Sequence, residues 1–180
     1  MQLLIFTLLL FSANILFSQD QQALVKEIRE KYSAIREHLS SYDTTTIEIT
    51  DESTEGGQAI GYYDKSDLKM IEATWFGETG KRITEYYFDK GKIFFAFDRM
   101  YTYNRPMYWD EETARANGDK EAYDPKKTKV NEDRYYFNQD KLFLWLDNEK
   151  KEVDLTRVEN VSAGNEMMEH GYEIRKNLIK

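Results

Sequence analysis

The chain of 180 residues carries a formal net charge of −8 and contains no cysteine. Without cysteine it can form no disulfide, no thiolate nucleophile and no thiolate metal site. The acidic balance argues against nucleic acid, and against an anionic membrane surface, as a partner. The length suits one domain with a single hydrophobic core.

Residues 1–18 carry no charged side chain and include the apolar run Leu3–Phe11. This run is shorter than the roughly 20 residues that a membrane-spanning helix requires. It predicts a signal peptide that is cleaved before Gln19. The mature protein, residues 19–180, is then expected to be a single domain that is periplasmic or secreted and free of the membrane. Because no basic residue follows Met1, a retained N-terminal anchor is the alternative.

An amphipathic helix is predicted from Gln19 to about Tyr42, because apolar residues recur there at steps of three and four. Its charged residues fall on the other sides and are interpreted as a solvated face. The apolar positions are Leu24, Ile28, Tyr32, Ile35, Leu39 and Tyr42.

A strand is predicted over residues 44–50, where Ile47 and Ile49 alternate with polar residues. Further strands follow at short intervals and are separated by turn-forming residues. Neighbouring strands are therefore expected to pair as an antiparallel meander. These strands cover residues 58–63, 68–76, 81–88 and 92–101.

A hairpin over residues 86–98 turns at Asp89-Lys90-Gly91, where glycine can adopt a positive φ. The same unit returns at residues 135–147 with six of thirteen positions identical. Both alternating sets of side chains are largely apolar, whereas a sheet with one wet face alternates apolar with polar residues. Both faces are therefore expected to be covered, or one of them to form a concave binding surface. Ile93 and Phe95 are predicted to share a face.

Residues 100–132 interrupt the hairpins with a segment far longer than the roughly two to five residues of a hairpin loop. Asp110 as N-cap and Gly118 as a stop predict a short helix over residues 111–117. Tyrosine and tryptophan rings combine an apolar body with a polar tip, which suits recognition of a protein or a glycan. The alternative is that these rings pack on the sheet. The candidate binding residues are Tyr101, Tyr103, Arg105, Tyr108, Trp109 and Tyr123.

A C-terminal helix is predicted over residues 157–178, preceded by a short last strand near Val153. Thr156 and Glu159 have the spacing of a capping box. Two internal glycines are expected to weaken this helix by ~1 kcal/mol each. Its predicted apolar stripe comprises Val158, Val161, Met168, Tyr172 and Ile179.

The sequence offers few groups for catalysis. The two histidines, His38 and His170, fall in predicted helices and are interpreted as surface residues. No catalytic residue, metal site or cofactor is predicted. The acidic loop around Gly118 could offer oxygen ligands to Ca²⁺, but it lacks the EF-hand order and is interpreted as solvated. Carboxylates are numerous, so a hydrolase with a glycosidase-like acid pair is a third alternative.

Tyr87, Gly91, Lys92 and Ile93 resemble the hairpin repeats of MORN-like and antitoxin-like proteins. Residues 103–110 followed by residues 133–137 are similar to a group of small uncharacterised secreted bacterial proteins, which implies no particular activity. In overall plan the chain resembles periplasmic lipoprotein carriers. That resemblance implies a curled sheet with an aromatic concave face.

Together these patterns predict an α+β fold. An antiparallel meander of about six or seven strands, built from repeated hairpins, packs with N- and C-terminal helices. The predicted function is non-enzymatic binding of a protein or glycan through an aromatic sheet face and the segment 100–132. The alternative is a periplasmic carrier that holds a hydrophobic ligand in a cavity of the curled sheet.

Overall fold

The computed structural model describes residues 2–50, 53 and 55–179, with side chains described from Gln19 onward. Two compact units divide the chain, Met1–His38 and Leu39–Lys180. The predicted signal peptide lies outside the residues whose side chains are described, so cleavage before Gln19 stays a prediction.

The first unit is one helix, α1, Gln2–His38. The predicted amphipathic helix therefore ends four residues before Tyr42, and a 3-10 turn, Leu39–Ser41, follows it. Ion pairs at i,i+4 spacing, such as Lys31 with Glu27 at 2.9 Å, lie on its exposed surface and contribute only a few tenths of a kcal/mol. In the described part of the chain, no helix combines the length and apolarity needed to cross a membrane.

The second unit is a seven-stranded antiparallel sheet in which every strand pairs with its chain neighbour. This confirms the predicted meander and the α+β class. The strands are β1 Asp43–Ile49, β2 Gly57–Asp64, β3 Asp67–Gly77, β4 Gly80–Asp89, β5 Lys92–Thr102, β6 Lys129–Asn138 and β7 Lys141–Leu146. Two helices complete the unit, α2 Glu111–Ala116 and α3 Val158–Leu178.

The repeated hairpins turn through matching two-residue loops. Lys90 and Gly91 have φ of 51° and 77°, and Gln139 and Asp140 have φ of 50° and 61°. Two successive positive φ values are typical of the type I′ turn, whose twist matches that of the flanking strands. The two turns are also joined, because the Lys92 ammonium lies 2.5 Å from the Asp140 carboxylate.

Replacing Gly91 by valine is expected to lower the free energy of unfolding by about 1 kcal/mol or more, because a β-branched residue is strained at positive φ. The matched control is Gly91→Asn, since asparagine tolerates this conformation. Urea denaturation of both variants measures the difference. Equal midpoints for the two variants would contradict the prediction.

A β-bulge follows the turn in each of three hairpins and changes which side chains share a face. Tyr87 pairs with Phe95 and Phe88 pairs with Ile93, so Phe94 is the extra residue in β5. The same shift occurs in the β2–β3 and β6–β7 hairpins. Ile93 and Phe95 therefore lie on opposite faces of the sheet. The prediction that they share a face was wrong, because strict alternation does not hold across a bulge.

One face of the sheet forms the main core with α3. The helix buries Gly164, Met167, Gly171, Ile174 and Leu178. The predicted stripe was wrong at its ends, since Val158 is 81 % exposed and Ile179 is 56 % exposed. Apolar side chains alone could not identify this face, because glycines occupy two of its central positions.

The start of α3 also differs from the prediction. Arg157 is the N-cap, and no side chain caps the helix there. Thr156 instead donates its hydroxyl to Asp154 at 2.6 Å, so the predicted capping box was wrong. The last strand predicted near Val153 is reduced to an isolated bridge between Leu146 and Glu152.

His170 connects α3 to the sheet. Its Nδ1 lies 3.1 Å from the Tyr86 hydroxyl, and its ring centroid lies 5.1 Å from that of Trp75. The interpretation of His170 as a surface residue was therefore wrong, because it faces the sheet.

The opposite face of the sheet, called here the second face, carries an apolar row across five strands. Its members are directly opposite one another and all are buried: Met70, Tyr87, Phe95, Tyr136 and Leu144. The middle of this aromatic face is thus interior to the folded chain.

Candidate recognition surface

The long connection between β5 and β6 is shorter than predicted. Thr102 pairs with Lys129, and β5 and β6 stay paired from there as far as Phe95 and Tyr136. The predicted segment 100–132 therefore contains strand at both ends, and the insertion proper is residues 103–128. It consists of α2, a 3-10 turn at Pro125–Lys127 and connecting loops.

Asn104 closes the base of the insertion. Its amide nitrogen donates to the Ala122 carbonyl at 2.9 Å, and its amide oxygen accepts from the Asp124 backbone at 2.9 Å. The backbone of Tyr123 also donates to the Trp109 carbonyl at 2.7 Å. Because these bonds join residues far apart in sequence, the insertion is a folded substructure.

Arg105, a candidate binding residue, is engaged within the insertion. Its Nε and Nη2 lie 2.7 Å and 3.2 Å from the two carboxylate oxygens of Asp119, and its Nη1 donates to the Asn104 carbonyl at 2.8 Å. Such a bidentate pair fixes geometry. The hydrogen bond from Arg105 lowers the pKa of Asp119 to about 2. Arg105 therefore serves to shape the insertion.

Replacing Arg105 by alanine is expected to raise the pKa of Asp119 from about 2 toward its ordinary value of 3.8. In the native protein this ion pair is fully present above the ordinary pKa and is lost as the pH falls through about 2. Carboxyl carbon chemical shifts measured against pH test this. The control is Asp110, whose low pKa comes from bonds to Thr113 and should not change. An unchanged Asp119 titration would contradict the assignment.

Helix α2 begins as the sequence predicts. The Asp110 side chain caps it and accepts from the Thr113 backbone at 2.8 Å, while Gly118 has φ of 70°. Two carboxylates of the acidic loop around Gly118 form ion pairs within the insertion, Asp119 with Arg105 and Glu121 with Lys127.

Three of the aromatic candidates lie within the insertion and support it, whereas Tyr101 lies on the sheet. Tyr103 and Tyr123 pack edge to face, with ring centroids 5.5 Å apart. Trp109 is half-buried, and its ring nitrogen is buried without a hydrogen-bond partner among the described residues. These three residues support the insertion. Tyr101 lies on β5 and not in the insertion, with the Lys81 ammonium 5.0 Å from its ring centroid.

Tyr108 differs from the others because it is 60 % exposed. Its hydroxyl donates to Glu78 in the turn between β3 and β4, and Tyr103 donates its backbone N–H to Thr79 of the same turn at 2.9 Å. The insertion is thereby attached to one end of the sheet. Met107, the preceding residue, is 58 % exposed.

Exposed apolar residues concentrate at this end. Four directly opposed residues form the last row of the second face, Phe76, Lys81, Tyr101 and Val130. Together with the insertion they form a surface that we call the insertion-end patch. It includes four of the eight large apolar side chains exposed in the described part of the chain: Phe76, Met107, Tyr108 and Val130. Of these four, only Tyr108 was a candidate from the sequence.

Two carboxylates lie directly opposite each other on the α3 side of the sheet, Asp98 and Asp133. Asp98 accepts from the Thr84 hydroxyl at 2.6 Å and from Arg82 at 2.8 Å. Asp133 accepts from the Trp145 ring nitrogen at 2.8 Å, and burial and then the charge of Asp98 raise its pKa. Each carboxylate thus has a protein partner, as is usual for a structural polar network.

Comparison of the chain with protein-family models, with curated proteins and with solved structures finds no match. The fold and the surface therefore define the class: an α+β protein with a seven-stranded meander and an insertion at one end of the sheet.

Proposed function

We propose that this is an exported, non-enzymatic binding protein that recognises a partner protein through the insertion-end patch. The observation that carries the proposal is the concentration of exposed apolar side chains there, with Tyr108 at 60 % and Met107 at 58 % exposure. Contiguous exposed apolar surface with a polar rim is typical of interaction sites. Tyrosine and methionine are enriched in the centres of protein interfaces.

The patch is well suited to a preorganised anchor. Tyr108 is held by its bond to Glu78, and Asp110, two residues further on, caps α2. A side chain that is already fixed loses little conformational entropy on binding. Tyr108 is therefore the residue expected to contribute most to affinity.

The charges around Tyr108 indicate what the partner presents. Glu78 contacts its hydroxyl, and Asp110, Glu111 and Glu112 follow it at the start of α2. A basic surface with an apolar centre would complement this arrangement.

A photo-crosslinking residue at position 108 tests the proposal, with the same residue at position 158 as the control. Val158 is 81 % exposed but lies at the start of α3, outside the patch. We expect one discrete protein adduct from position 108 in envelope extract or culture medium, and none from position 158. Identical adduct patterns at both positions would contradict the proposal.

Tyr108→Ala is expected to weaken binding of the purified crosslinked partner by about tenfold, as for an interface hot spot, and to leave the unfolding midpoint nearly unchanged because the side chain is exposed. Titration calorimetry and urea denaturation measure the two quantities. Unchanged affinity would remove Tyr108 from the site. Saturable binding of a polysaccharide with no protein adduct would replace the partner protein by a glycan.

A further inference from the structure

A cleft of about 630 Å³ lies at the other end of the sheet from the insertion. It is bounded by the turns between β2 and β3 and between β4 and β5, and by the last turn of α3. This volume falls within the range of small-molecule sites. The cleft and the insertion-end patch share no residue, so an inference about one is independent of the other.

The cleft has a basic side made of Lys65, Lys90 and Arg175. Two carboxylates, Asp43 and Asp67, also line it, and Asp67 is paired with Lys69 at 2.6 Å. Within the part of the chain that the structure describes, none of the three basic residues forms an ion pair. An excess of unpaired positive charge in a cleft favours an anionic ligand.

Arg175 lies fixed at the base of this basic side. Its Nη1 donates to the Gly91 carbonyl at 2.6 Å, and its guanidinium lies 5.7 Å from the Phe88 ring centroid. Its Nε is buried without a hydrogen-bond partner among the described residues. A planar guanidinium with unused donors is the group that best matches a carboxylate.

Tyr63 adds a neutral donor beside Arg175. Its hydroxyl is protonated at neutral pH, since burial raises a pKa that is ordinarily 10.0, and it can donate a hydrogen bond. The lining also contains polar Thr45 and Ser66, and its apolar side chains are Leu68, Leu178 and Ile179. The cleft thus joins a cationic, hydrogen-bonding side to a hydrocarbon side.

We propose that this cleft binds a fatty acid, with its carboxylate at Arg175, Lys65 and Lys90 and its chain against Leu68, Leu178 and Ile179. The ligand therefore needs both an anionic group and a hydrocarbon chain. The carboxylate supplies a counter-charge for the three basic residues, and the chain covers Ile179, which is 56 % exposed, beside the nearly buried Leu68 and Leu178.

The test uses dodecanoate below its micellar concentration, with dodecanol and dodecyl phosphate as matched ligands, on the purified chain in titration calorimetry. We expect dodecanoate to bind at one site and dodecanol to bind at least about tenfold more weakly, since it lacks the charge. Tighter binding of the phosphate than of the carboxylate would assign the site to a phosphorylated lipid. Equal binding of acid and alcohol, or no binding of either, would overturn the proposal.

Two lysines of the cleft and one lysine outside it share the same backbone conformation, so all three can be replaced by the same residue. Lys65, Lys90 and Lys150 have φ of 59°, 51° and 61°, and asparagine tolerates that conformation. The double variant Lys65→Asn/Lys90→Asn should weaken dodecanoate binding by about fivefold, whereas Lys150→Asn, outside the cleft, should not change it. If Lys150→Asn weakened dodecanoate binding as much as the double variant does, the assignment of the basic side would be overturned.

Discussion

Gly171→Val is expected to lower the free energy of unfolding by about 3 kcal/mol. A Cβ at this position would lie 2.5 Å from Cδ1 of Tyr86 and 2.8 Å from Cδ1 of Ile93. Both neighbouring side chains are at most 1 % exposed, so neither has space into which to move. The helix would have to withdraw from the sheet and leave gaps along its whole buried face. Urea denaturation followed by circular dichroism measures the loss.

Two controls separate this contact from helix propensity. Glu169→Val places the same β-branched residue at an exposed position of α3 and should cost only a few tenths of a kcal/mol. Gly164→Val meets the terminal methyl of Leu142 at 2.3 Å, and a flexible side chain can turn aside more easily than a buried ring. We therefore expect Gly164→Val to cost less than Gly171→Val. Equal losses at positions 171 and 169 would show that close packing is not the cause.

Glu85→Leu is expected to destabilise the protein by about 3 kcal/mol, as for removal of one member of a buried charged pair. Glu85 is 2 % exposed and accepts from the Tyr87 hydroxyl and from Arg99. Removing its carboxylate leaves the Arg99 guanidinium, 5.1 Å from the Phe97 ring centroid, without this counter-ion.

A double-mutant cycle with Arg99→Met isolates the pair. Replacing both members by apolar residues of similar size is often close to neutral, whereas leaving one charge unpaired is not. The double variant should therefore be more stable than Glu85→Leu alone, as measured by chemical denaturation. Additive losses in the two single variants would show that Glu85 and Arg99 contribute independently.

The candidate surface was only partly predictable from the sequence. The cap at Asp110 and the stop at Gly118 depend on local backbone chemistry, and both are where the sequence places them. The roles of the aromatic residues depend on contacts with distant residues. Tyr103 meets Tyr123, and Tyr108 meets Glu78, 30 residues away in the chain. No local pattern distinguishes the exposed tyrosine from the supporting ones.

The cleft illustrates the same limit. Its basic residues come from the β2–β3 turn, the β4–β5 turn and α3, so their proximity exists only once the sheet is assembled. Gly91 does give a sequence signal, because its turn is repeated. Its second role, leaving space for Arg175 beside the turn, requires α3 to be in place, since a Cβ on Gly91 would lie 3.1 Å from Nη2 of Arg175.

The sequence by itself determined the kind of most elements and their order: a helix, an antiparallel meander of about six or seven strands with a repeated hairpin, a capped short helix and a final long helix. These follow from periodicity and turn chemistry, which act between residues close in the chain. Only the tertiary structure decided which side chains face inward. The bulge after the β4–β5 turn reverses the alternation in β5, and Gly171 of α3 allows the helix backbone to approach Tyr86 and Ile93. Both effects depend on packing between residues far apart in sequence, and that packing decides which aromatic residues remain exposed for recognition.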